Sequence, residues 1–78
     1  MADFIEKKEK LTELLEQYNN DNQTKNELIN YVKELEQDSE FKDKELFISI
    51  FKDINTYLSE LSSKEIKQRI LLIRSFID

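Results

Sequence analysis

The side chains able to do chemistry in this chain are carboxylates and a few cations, because it contains no His and no Cys. The usual general base, the strongest nucleophile and the common zinc ligands are therefore missing together. Gly is absent too, which removes the loops that cradle phosphates, the P-loop and the dinucleotide fingerprint among them. Carboxylates could still work in pairs. Glu9, Glu13 and Glu16 recur at helical spacing on one face, and Glu34, Glu36, Asp38 and Glu40 follow later in the chain. Acids at such spacings ordinarily form a solvated face that keeps a small domain soluble, and that is the expectation for both sets. The stretch from Asn19 to Glu27 lacks the turn glycine and terminal bidentate acid of an EF-hand. No catalysis, cofactor or metal is expected.

A third constellation mixes charge with apolar surface. Lys64, Lys67 and Arg74 share one side of a helical wheel with Leu71, roughly opposite the stripe of Ile66, Ile70, Ile73 and Ile77. Ile48 is likewise displaced, by about a quarter-turn from the stripe of its own segment. Three readings of these two residues stay open. The last helix could be buried nearly all round; Leu71 could centre a partner-binding patch ringed by Lys67 and Arg74; or both residues could meet symmetry mates in a homodimer. The acids Glu9, Glu13, Glu16, Glu34 and Glu36 form a candidate acidic face, able to occupy a basic groove in a partner.

The elements that must position these residues read as helices. Neither Gly nor Pro occurs, so turns fall to Asn, Asp and Ser, which cluster between helix-periodic segments. The first helix is expected from about Asp3, as N-cap, to Tyr18, with Phe4, Leu11, Leu14, Leu15 and Tyr18 inward and a Glu6–Lys10 ion pair outside. Thr24 to Glu27 matches a capping box opening a second helix, with Leu28, Tyr31, Val32 and Leu35 buried. Phe41, in the next connection, should tuck against the core. The third helix is expected from about Asp43 to Leu61, carrying Phe47, Ile50, Phe51, Ile54 and Leu58, widened by Leu46 and Tyr57. Ser62 to Glu65 reads as a second capping box before the fourth, with Leu72 and Phe76 beside its isoleucine stripe. Short connections favour antiparallel neighbours, so the fold class is all-α: a compact antiparallel bundle of about four helices, built as two helical hairpins over residues 1–78.

Charge and composition narrow the function. Eleven acids face five lysines up to Glu40, whereas Lys64, Lys67, Arg69 and Arg74 outweigh Glu65 and Asp78 after Ser62. A net charge of −5 with this asymmetry argues against a general nucleic-acid binder. The longest apolar run, Ile70 to Ile73, is far short of the roughly 20 residues of a membrane span. The start of the chain is acidic where a signal peptide is basic, so a cytoplasmic location is expected. Richness in Lys, Glu, Ile and Asn suggests an AT-rich bacterium, phage or plasmid. These readings converge on a small acidic non-enzymatic protein that binds and inhibits or neutralises a larger protein, in the manner of anti-defence inhibitors and immunity proteins. The alternatives are a self-associating regulatory module and, less favoured, a DNA-binding regulator.

Overall fold

The computed structural model describes residues 2–76, and Ile77, the last member of the expected isoleucine stripe, lies outside them. Helix α1 (Ala2–Gln17) begins one residue before Asp3, which sits in its first turn near the positive end of the helix dipole rather than at the N-cap. Its Lys10 lies over the Tyr31 ring at 4.5 Å instead of reaching Glu6. The first turn of the chain is made by Asn20 at φ 56, the one positive φ among the described residues, in a conformation Asn tolerates better than most. The Tyr18 hydroxyl donates to Asn20 Oδ1 at 2.7 Å and steadies that turn.

Helix α2 (Asn22–Glu36) starts earlier than the Thr24 capping box would place it. Asp21 is the N-cap, its carboxylate accepting from the Thr24 backbone N–H at 2.8 Å and from the Thr24 hydroxyl at 2.9 Å. Asp21 out-competes Thr24 because an ionised oxygen accepts more strongly and favours the helix N-terminus. These bonds hold the Asp21 carboxyl below its ordinary range. Leu28, Val32 and Leu35 are buried, and Tyr31 lies at the core edge.

Between α2 and α3 the backbone makes tight turns in which Asp38 Oδ1 accepts from the Glu40 N–H at 2.9 Å. This local bond turns Phe41 fully inward, as its place in the sequence suggested. Helix α3 (Glu45–Tyr57) is shorter than expected. A 3₁₀ turn (Leu58–Glu60) tightens its end, and Leu61 is extended. Tyr57 is half exposed rather than part of the buried stripe, because the stripe turns inward through Ile54 and Leu58. Helix α4 (Ser63–Ser75) opens on the Ser62–Glu65 capping box, with Ser62 Oγ accepting from the Glu65 N–H and Glu65 Oε1 accepting from the Ser62 N–H. Helices α3 and α4 are therefore separate.

Packing follows a simple order. Helix α1 lies between α2 and α4, and α2 also packs on α3. The antiparallel sense of α1 and α4 is fixed where Lys8 Nζ donates to the Phe76 carbonyl at 2.6 Å. At that end Phe4, Phe41, Phe47, Phe51 and Phe76 form one aromatic cluster with centroid separations of 4.9–6.1 Å. Edge-to-face pairs such as Phe41–Phe47, at 81°, suit the ring quadrupoles. No helix among the described residues is long and apolar enough to cross a membrane.

Candidate functional site

Helix α4 presents Ile70 and Ile73 to the core, with Ile66 at its edge, and turns its other side to water. Leu71 is 62% exposed and Leu72 49%, so the helix is not buried all round, and Leu72 does not sit beside the core stripe as expected. Among the described residues no second neighbour lies on that side: α1 covers one flank of α4, and Arg69 contacts α3 on the other.

Lys67, Leu71 and Arg74 line a single groove of about 450 Å³ between α1 and α4. Its apolar walls are Leu15, Tyr18, Ile66 and Ile70, and Glu16 closes the α1 side. Arg74 Nη2 meets Glu16 Oε1 at 2.9 Å across the groove, a pair about half exposed and so worth little to folding. Lys64 is exposed one turn before Lys67 on the same side of α4. A further hollow of about 430 Å³ continues along the same helix pair past Arg74, between Ile5, Lys8, Glu9, Thr12, Glu13 and Ile73. Ile5, 53% exposed, is an apolar member of this surface missed from the sequence. The signal was present, since Ile5 stands off the Phe4, Leu11 and Leu15 stripe just as Leu71 stands off its own.

The two candidate surfaces read from the sequence thus meet. Glu9, Glu13 and Glu16 stand on the α4 side of α1, and Glu16 pairs with a member of the basic patch. The other acids are elsewhere. Glu34 borders a hollow with Lys10, Leu14 and Tyr31, and Glu36 accepts from Asn55 Nδ2 of α3 at 3.0 Å. One continuous acidic face spanning α1 and α2 does not form, because α1 directs its glutamates toward α4 while the α2 acids adjoin α1 and α3. Ile48 is also apart, exposed beside Glu36, Phe41, Lys42 and Phe51 on the α2–α3 side.

The cations of α4 divide by what holds them. Arg69 Nη2 meets Asp53 Oδ2 at 3.0 Å and Nη1 donates to the Glu65 carbonyl, which ties α4 to α3 and leaves its buried Nε unpartnered. Lys64 and Lys67 form no ion pair among the described residues, and neither do Glu9 and Glu13. A groove with an apolar wall, a rim of unpaired ammonium groups and an acidic far end is equipped to hold another surface by burial and charge. Comparison of the chain with protein-family models, with curated proteins and with solved structures gives no match.

Proposed function

We propose that this is a non-enzymatic binding protein that uses the α1–α4 groove to hold, and so inhibit or neutralise, a larger protein. The observation that carries this reading is Leu71, 62% exposed at the edge of an apolar-walled groove and flanked by Lys64, Lys67 and Arg74. An exposed leucine alone means little. A leucine continuous with a groove, rimmed by Arg74 and by the ammonium groups of Lys64 and Lys67 that form no ion pair among the described residues, has the layout of an interface centre within a polar rim. The lack of His, Cys and Gly supports a role without catalysis. An inhibitor or immunity protein of phage, plasmid or bacterial origin, acting in the cytoplasm, fits this small acidic chain.

The test compares tagged wild-type protein with Leu71→Asp in a pull-down from lysate of the source cell, read by mass spectrometry. The reading expects one near-stoichiometric foreign protein with the wild type, inhibited in the complex, and none with the variant. Because Leu71 projects into water, the variant keeps its helicity and melting temperature. Equal capture by both proteins would remove the groove from the binding surface.

A further inference from the structure

We infer that the α1–α4 groove also receives a second copy of this chain, related by a two-fold axis, with Glu9 and Glu13 of one copy meeting Lys64 and Lys67 of the other. Apart from Lys8, which is engaged with the Phe76 carbonyl and the Phe4 ring, the charges of the groove without an ion pair are separated by sign and by position. Glu9 and Glu13, midway and further along α1, line the hollow at the Ile5 and Ile73 end of the groove. Lys67 stands at the opposite end, beside Tyr18 and Ser63, with Lys64 one turn beyond it. They are kept apart within one chain by the antiparallel packing of α1 on α4, with the Arg74–Glu16 pair between the two sets.

A two-fold axis that exchanges the ends of the groove satisfies both sets at once. In such an isologous contact each pairing occurs twice, so two carboxylates and two ammonium groups per copy leave none of these charges over. Leu71, 62% exposed, then lies toward the middle of the contact, where burial contributes most, and Ile5, 53% exposed, extends the apolar surface at the acidic end. A foreign partner must happen to match this arrangement of signs, whereas a second copy matches it by construction. The chain also has no Cys or His for a disulfide or zinc staple, and association is the remaining way for a small domain to extend its core. Partner and second copy would use the same face, so each excludes the other.

Sedimentation equilibrium of the full chain tests the inference, with circular dichroism confirming that every variant remains helical. The wild type should dimerise weakly, its mean mass rising with concentration below about 1 mM. Leu71→Asp should weaken this by ~10-fold or more. The decisive arm is a charge swap. Lys64→Glu with Lys67→Glu makes both ends of the groove acidic, and Glu9→Lys with Glu13→Lys makes both ends basic, so each double variant alone should be monomeric. Mixed together, they should form a heterodimer tighter than the wild-type dimer. A wild type monomeric at millimolar concentration, a mixture that stays monomeric, or a Leu71→Asp protein that dimerises as well as the wild type would each overturn the inference. A monomer that still captures a foreign partner through Leu71 would overturn the dimer while leaving the proposed function standing.

Discussion

The aromatic end of the bundle and the α1–α4 groove are built from the same kinds of residue and serve opposite ends. At the aromatic end Phe41 and Phe47 are fully buried, and α1, the α2–α3 connection, α3 and the end of α4 all contribute a ring. Along the groove two helices meet, and among the described residues Ile5 and Leu71 have no third element above them and remain in water. The ion pairs repeat the contrast. Lys7 Nζ holds Asp38 at 2.5 Å and Glu40 at 3.1 Å with side chains mostly covered, whereas Arg74 and Glu16 are about half exposed. Apolar surface closed by several elements becomes core; the same surface bounded by two stays open to water.

Substitutions can break or sharpen this contrast. The largest effect is expected from Phe41→Ala, which empties the centre of the aromatic cluster. It should cost about 3–5 kcal/mol, comparable to the whole stability of a small domain, and abolish cooperative melting followed by circular dichroism. A variant that still melted cooperatively near the wild-type temperature would show that the cluster is not what closes the fold.

Lys7→Met should lower the melting temperature at neutral pH by several degrees, with a pH dependence fixed by the shifts on both partners. Hydrogen bonds from the Lys7 ammonium and the Glu40 N–H hold the Asp38 carboxyl below its ordinary 3.8. Its contribution is therefore present above that value and is lost as pH falls through the lower, folded one. Hydrogen bonds to Asp38 and Glu40 raise Lys7 above its ordinary 10.5, so its contribution is complete below that value and fades as pH rises through the folded one. Wild type and variant should differ most between about pH 4 and 10 and converge in acid. A difference unchanged at pH 2 would show that the ion pairs with Asp38 and Glu40 are not its source.

Ser62→Ala removes one half of the capping box and should cost about 1 kcal/mol in thermal or urea unfolding. Loss of α4 hydrogen-exchange protection beyond its first turn would mean that the cap, rather than packing on α1, holds the whole helix. The smallest effects belong to the groove. Arg74→Ala and Leu71→Asp should each change unfolding free energy by no more than about 0.5 kcal/mol. A loss several times larger for Leu71→Asp would make the groove part of the core and dissolve the distinction between the two regions.

Much of the fold was legible because helical periodicity and turn chemistry are local. The apolar spacing through Leu11, Leu15, Leu28, Val32, Phe47, Ile54 and Ile73 gave the inward faces, and the Ser62–Glu65 box was read from two residues at the correct spacing. Errors arose where local signals competed. Thr24 and Asp21 could both cap α2, and the charged oxygen prevailed. Tyr57 and Leu72 are helix residues whose angle permits burial, but no neighbouring element among the described residues covers them. In the candidate site, Leu71 and Ile48 stood out in the same way from the sequence, yet only Leu71 opens onto a groove shared with cations.

The sequence by itself determined the helical class, the places where the chain turns and which residues point inward, because backbone bonding, turn chemistry and amphipathic spacing act within a few residues. Tertiary structure alone decided that α1 lies between α2 and α4, that Glu16 reaches Arg74, and that Leu71 and Ile5 border one surface while Ile48 belongs to another. Those outcomes depend on which helix covers which, and that is settled by closing the whole core at once rather than by any one segment.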